Sequence, residues 1–256
     1  MSGAGRVTAI VLAGGLGTRL REVTQNKYPK PLVPVGIGAA RAPFLEFAMA
    51  PLQRQGIGDF ILCIGHLGQQ VVDHFGDGRE YGINIRYSDS GSADTGTRVH
   101  SAFALSGGAE ALVVCGDVFH PVDVADFMRR FRERPDWKVQ LAATEQTGPQ
   151  APNMVLAPDG SVLAHGDSAG PSGRAALETG VLAVRSSAFD GYRIGTDFSL
   201  AGDLFPALAR ERALGSMIQP VPFFDIGTPE RLHRFRAFAG GGGASPLAKA
   251  DLRRGR

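Results

Sequence analysis

Apolar residues recur along this chain in two alternating rhythms. Short, mostly apolar runs at residues 7–12 (VTAIVL), 59–65 (DFILCIG) and 111–115 (ALVVC) predict buried strands, and 83–87 (INIRY) predicts a further strand. Between them the spacing changes to that of helices. Leu45, Ala48, Met49 and Leu52 fall at i, i+3, i+4 and i+7, with Pro51 arguing for a kink. Val71, Val72 and Phe75 mark a helix over 67–75, and Val99, Ala102 and Phe103 mark one opening at 95–97. Val124, Phe127, Met128 and Phe131 mark another over 122–134. The second half predicts a strand at 139–144, a hairpin of 154–157 with 162–164 turned at Pro158-Asp159-Gly160, and a strand at 176–184. A helix at 200–212, a strand at 217–223 and a helix at 229–238 complete it. Strand–helix alternation of this kind predicts an α/β fold with a doubly wound, mostly parallel mixed sheet, whose ligands sit at the carboxyl ends of the strands.

Composition narrows the class without naming a function. The chain has 256 residues, 43% hydrophobic and 20% charged, which excludes a disordered or collagen-like chain and fits one elaborated domain. Lys and Arg total 27 against 25 Asp and Glu, so no charge excess points to nucleic acid. No run reaches the length of a membrane span, and residues 1–6 have no signal-peptide core, so a cytoplasmic protein is expected. Cys63 and Cys115 each lie in an apolar run and read as buried reduced thiols. The six histidines have no metal-ligand spacing. Residues 240–256 are glycine-rich, then polar and basic, and read as a disordered tail whose removal would leave the melting temperature unchanged.

The chemistry concentrates after the first strand. Leu12-Ala13-Gly14-Gly15-Leu16-Gly17-Thr18-Arg19-Leu20 is a glycine-rich turn whose exposed N–H groups suit phosphate. It fails the dinucleotide fingerprint, because Leu20 stands where the third glycine belongs, and it lacks a Walker lysine. Eleven residues beyond Arg19, Pro29-Lys30-Pro31 fixes the direction of a second cation. Arg19 and Lys30 together can neutralise a triphosphate from two sides. Asp117 after the fourth strand and Asp225 before the last helix offer hard oxygens, although each could instead cap a turn or a helix.

The run L-A-G-G-L-G-T-R-L followed by P-K-P-L-V-P-V resembles the signature of the sugar-1-phosphate nucleotidylyltransferases, closely through about residue 127 and more weakly over 175–238. Gly116-Asp117 and Phe224-Asp225-Ile226-Gly227-Thr228-Pro229 match two further motifs of that family. The resemblance implies a Rossmann-like nucleotidyltransferase fold with a small sugar-binding β subregion. It implies a single domain over 1–239, with 7–135 the nucleotide-binding part and 136–239 the sugar-phosphate part. It assigns Arg19 and Lys30 to the reacting phosphates, and Leu12, Ala13, Gly14, Gly15, Gly17, Thr18, Thr95, Gly96 and Gly116 to the nucleotide. Met154, Glu178, Thr179 and Gly180 would meet the sugar, and Asp117 and Asp225 would hold Mg²⁺. The implied partners are a nucleoside triphosphate and a sugar 1-phosphate, with no nucleic acid or membrane, and a homo-oligomer is left open.

Base and sugar are read less directly. Segments 43–47, 55–57, 75–77 and 197–200 resemble the heptose-1-phosphate guanylyltransferase branch. The loop ending Thr95-Gly96-Thr97-Arg98-Val99 is more like the glucose-1-phosphate cytidylyltransferases, where guanylyltransferases carry L-G-T-G-G-A. The family's F-x-E-K-P is missing near His165-Gly166-Asp167, which takes away a lysine beside the sugar phosphate and points to a heptose- or octose-type substrate. Arg174 or Arg185 could restore that charge. The expected reaction is therefore nucleotidyl transfer from GTP. A CTP-dependent enzyme and a catalytically silent nucleotide-sugar binder stand as alternatives, and a dehydrogenase is remote.

Overall fold

The computed structural model describes residues 7–36, 41–145, 150–166, 173–193 and 196–250. Strand β1 (Thr8–Leu12) leads through the glycine-rich turn into the single helical turn α1 (Arg21–Thr24). A small ladder of β2 (Pro34–Val35) and β3 (Ala42–Pro43) precedes α2 (Phe44–Arg54), which runs on through Pro51. Then follow β4 (Asp59–Ile64), α3 (Gly68–Phe75), β5 (Asn84–Asp89), α4 (Thr95–Ser106) and β6 (Glu110–Cys115). The short β7 (Val118–Phe119), α5 (Val124–Arg132) and β8 (Val139–Thr144) lead into the hairpin of β9 (Met154–Leu156) and β10 (Val162–His165). The long β11 (Arg174–Arg185), α6 (Phe205–Arg210), β12 (Leu214–Ile218), β13 (Phe224–Asp225) and α7 (Pro229–Gly240) complete the described chain.

The sheet runs β12-β8-β11-β6-β1-β4-β5. Pairs β1–β4, β1–β6, β4–β5 and β8–β12 are parallel, and β11 runs antiparallel between β6 and β8. The period of two along a strand divides the core into two layers. Ala9 and Val11 pack with α2, α3, α5 and α7, whereas Ile10 packs with α4 and α6. Strands covered on both faces have no polar side to show, which is why they read as continuous apolar runs. The expected fold class holds.

Three expectations are corrected. The strand expected at 217–223 ends at Ile218, because Pro220 and Pro222 have no N–H to give a ladder. Phe224 and Asp225 instead pair with Phe119 and Val118 as a separate ribbon. The helix expected at 200–212 opens as a wide turn over Leu200–Leu204 and becomes α-helical only from Phe205. Pro206 lacks the N–H that regular helical bonding to residue 202 would use. The tail also differs from a disordered one as far as residue 250. Leu247 is 5% exposed within the core, Ala248 exchanges two hydrogen bonds with Gln53, and the Ala250 N–H donates to the Glu80 carbonyl at 2.7 Å. Residues 251–256 lie outside the described chain.

Candidate active site

Leu12 of β1 is in register with Cys115 of β6, so the turns leaving both strands open on the same edge of the sheet. Backbone approaches so closely there that two glycines are required. A Cβ on Gly14 would strike the Arg98 guanidinium and come within 2.8 Å of the Ile64 carbonyl carbon. One on Gly116 would lie 2.7 Å from the Leu12 carbonyl oxygen, whose hydrogen bond comes from the Gly116 N–H at 2.9 Å. Gly17 takes φ 61°, turning the chain so that Thr18 and Arg19 follow on a short helical turn. The Lys30 stem packs against that turn, and its ammonium pairs with the Asp117 carboxylate.

The β7–β13 ribbon brings the second aspartate to the same place. Ile226 N–H donates to the Asp117 carbonyl at 3.0 Å, fixing Asp225 beside the loop that carries Asp117. Asp225 Oδ1 accepts from Arg231 (3.0 Å) and from Gly227 N–H (2.8 Å), and Oδ2 accepts from Gln150 (2.8 Å). The cap of α7 is Thr228, which accepts from Arg231 N–H, so Asp225 does not serve as the cap of that helix. Among the described residues no group of three His, Cys, Asp or Glu side chains could hold a metal ion. Two carboxylates still fit a hard cation such as Mg²⁺ if phosphate and water oxygens complete its shell.

A cleft of about 490 Å³ extends from this edge. Arg19, Lys30, Asp117 and Gly227 line it at the end toward β6, where Lys30 meets Asp117. Asp94, Thr95, Arg98 and Asp197 line it at the end toward β4, where Arg98 donates to the Ile64 carbonyl beyond β1. Of the residues expected at the nucleotide, Leu12, Ala13, Gly14, Gly15, Gly17, Thr18 and Thr95 line it. Gly96 and Gly116 do not; Gly96 gives room to the Phe198 ring, and Gly116 to the end of β1.

Asp94, Arg98 and Asp197 line the cleft although the motif reading did not select them. Arg98 is buried, and donates to the carbonyls of Ala93 (2.6 Å), Gly91 (2.8 Å) and Ile64 (3.2 Å). It thereby ties the loop before α4 to the ends of β4 and the phosphate turn. The signal was present: one charged side chain inside the first turn of a helix whose other inward positions are apolar.

None of the expected sugar residues is in the lining of this cleft, although Gly180 packs close to Cys115, which is. Met154 is buried in β9. Gly180, at φ +77°, bulges β11 so that Glu178 Oε1 accepts its N–H at 2.7 Å. Burial, with some help from the Asp117 charge, pushes the Glu178 carboxyl up. Thr179 is buried against β8 and bonds His120. Neither arginine offered as a replacement charge is spare. Arg185 donates to the carbonyls of Phe131 and Arg134 near the end of α5, and exposed Arg174 pairs with Glu145.

The arrangement is one of positioning and charge: a cationic turn facing two carboxylates. Burial pushes the Cys115 thiol well up, which keeps it a poor nucleophile. The sequence pattern of the nucleotidyl transferase family matches residues 8–151. The chain belongs to that family. Within this family it is similar to the N-acetylmuramate α-1-phosphate uridylyltransferase of Neisseria meningitidis, at 30% identity over 91% of this chain and 98% of the relative. It is similar also to the D-glycero-α-D-manno-heptose 1-phosphate guanylyltransferase of Aneurinibacillus thermoaerophilus, at 28% identity over 87% of this chain and 94% of the relative. In fold this nucleotidyl transferase matches HddC from Yersinia pseudotuberculosis, with a TM-score of 0.73 at 21% identity over 89% of this chain and 97% of that one. No helix among the described residues is long and apolar enough to cross a membrane.

Proposed function

We propose that this sugar-1-phosphate nucleotidyltransferase uses GTP and a heptose- or octose-type sugar 1-phosphate, forming a nucleotide-sugar and pyrophosphate. The observation that carries the reaction is the cationic end of the cleft, where Arg19 and Lys30 face Asp117 across the glycine turn. A sugar-phosphate oxygen attacks the α-phosphorus in line; its new P–O bond forms as the bond to the α,β-bridging oxygen breaks, and pyrophosphate leaves with that electron pair. The nucleophile is already an anion, so no general base is required. Arg19 and Lys30 align the phosphates and stabilise the charge that gathers on the equatorial and leaving oxygens. Lys30 exchanges its Asp117 partner for phosphate as the nucleotide enters, leaving Asp117 and Asp225 to hold Mg²⁺. When bound, that ion supplies further charge neutralisation at the phosphates.

GTP is favoured by the likeness to heptose 1-phosphate guanylyltransferases along most of the chain. CTP is the second reading, supported by Thr95-Gly96-Thr97-Arg98-Val99 at the cleft. The test is pyrophosphate release with each ribonucleoside triphosphate and dTTP against a panel of sugar 1-phosphates that includes heptoses. Release with GTP and a heptose 1-phosphate is expected, and Lys30→Ala should cut it by about 100-fold or more with folding intact. Release that survives in Lys30→Ala removes that residue from the mechanism. Nucleotide binding without release from any pair supports the silent binder instead.

A further inference from the structure

The two ends of the nucleotide cleft have opposite character, and this fixes how a nucleotide lies in it. Arg19 and Lys30 hold one end. The other carries Asp94 and Asp197, while its one cation, Arg98, is buried and spends donors on three backbone carbonyls. Most N–H groups at the start of α4 are also taken. Asp94 N–H donates to Asp197 Oδ1 (2.7 Å), Thr95 N–H to Asp94 Oδ1 (2.6 Å), and Thr97 N–H to the Phe198 carbonyl (3.2 Å). The two carboxylates disfavour phosphates at this end, and the Arg19 guanidinium with Lys30 favours them at the other, an orientation that would turn the base toward Asp197.

Asp197 is held for such a task. It sits on a strap over the first turn of α4, where Thr97 Oγ1 donates to Asp197 Oδ1 (2.9 Å), Phe198 N–H donates to Thr97 Oγ1 (3.0 Å), and Leu200 N–H donates to Thr95 Oγ1 (3.0 Å). Gly96 lets the strap lie this close, since a Cβ there would come within 2.8 Å of the Phe198 carbonyl oxygen. The two donors on Oδ1 fix the carboxylate and hold it ionised below the usual range, while Oδ2 keeps its lone pairs for a ligand. A fixed, ionised carboxylate accepts hydrogen bonds only. It suits guanine, which offers N1–H beside an exocyclic amine, and the amine of cytosine. Uracil and thymine flank their single N–H with two carbonyl oxygens, which a carboxylate repels.

We propose that Asp197 reads the base and selects a nucleoside triphosphate carrying an exocyclic amino group, guanine or cytosine, against uracil and thymine. The inference rests on the nucleotidyl-transfer reading above and adds a residue that decides the base.

The test compares GTP, CTP, UTP, dTTP, ITP and dGTP in pyrophosphate release, and in calorimetric binding, which reads the base preference even if turnover fails. The wild type should prefer GTP or CTP over UTP and dTTP by about 10- to 100-fold, the worth of one charge-assisted hydrogen bond. Asp197→Asn keeps the Oδ1 acceptor and replaces Oδ2 with an amide donor. It should lose most of that preference, and where GTP is the substrate it should bring GTP and ITP, which lacks the amine, close to parity. Preference of the wild type for UTP or dTTP would overturn the inference while leaving the nucleotidyl-transfer reading intact. An equal loss for all bases in Asp197→Asn would overturn it too, as would a changed GTP-to-dGTP ratio with GTP-to-ITP unmoved, since the carboxylate would then be reading ribose. If Asp197→Asn fails to fold, Thr97→Val removes one of the two donors that fix the carboxylate without removing its charge; a reduced base preference supports the inference and an unchanged one refutes it. Absence of both release and binding with every triphosphate would overturn the function and the inference together.

Discussion

His120 shows how a single residue can escape a sequence reading. Its place three positions past Asp117 suggests a loop histidine, with contact to substrate as the alternative, yet it is 5% exposed, with its ring set edge-on to Phe223. Thr179 Oγ1 donates to the Ala142 carbonyl, so the hydrogen between Thr179 Oγ1 and His120 Nδ1 at 2.8 Å comes from the imidazole. Burial disfavours a second proton on the ring and pushes its pKa down to about 4. Burial does the same to His165, also to about 4. In the unfolded chain both titrate near 6.5. Between those values the unfolded state binds protons that the native state refuses, so stability rises with pH there. The stabilisation is complete above about pH 6.5 and is lost as pH falls to about 4, by roughly 3 kcal/mol per histidine. Thermal melts across that range should show the decline, and His120→Gln should flatten it by about half. A variant whose pH curve overlays the wild type would show that His120 titrates normally in the fold.

At the scale of elements, continuous apolar runs and three-to-four spacing placed β1, β4, β5, β6, α3, α4 and α5 to within a few residues. Each is decided by its own residues and by burial on one or two faces. What the sequence could not show depends on partners far along the chain. The β7–β13 ribbon is two residues wide on each strand, too short for any periodicity, and it exists because the chain returns there a hundred residues later. The strap at 196–200 and the tail are of the same kind. Glycine-rich composition made the tail read as disordered, but one leucine and three hydrogen bonds, two of them with the Gln53 side chain, hold it against α2 and the turn at 79–82. Burying a leucine is worth about 1.5–3 kcal/mol. Ending the chain at residue 240 should therefore lower the melting temperature by roughly 3–10 °C, at about 2–4 °C per kcal/mol for a protein of this size. Calorimetry of the truncated chain checks this, and an unchanged melting temperature would mean that the docked tail contributes nothing.

For the molecule as a whole, the glycine turn and the two cations were legible because they lie within twenty residues of one another. The opposite end was legible only at Thr95 and the loop around it, because Asp94, Arg98 and Asp197 are brought together there only by folding. The charge arrangement that results governs how the protein meets its nucleotide. Among the described residues Arg19 makes no ion pair, while Lys30 is already held by Asp117. Much of the favourable charge contact on binding therefore comes from Arg19, because Lys30 must first give up a partner. A ligand that binds only the folded chain stabilises it by RT ln(1 + [L]/Kd), about 2.7 kcal/mol at 100 times Kd. GTP at that concentration should raise the melting temperature by roughly 5–10 °C. Arg19→Ala removes one charge-assisted contact, which weakens binding by about 10- to 100-fold. At the larger loss the same GTP concentration only equals Kd, leaving about 0.4 kcal/mol and a shift of about 1 °C. Thermal melts of the two proteins with and without GTP measure this directly, and equal shifts would place the triphosphate away from Arg19.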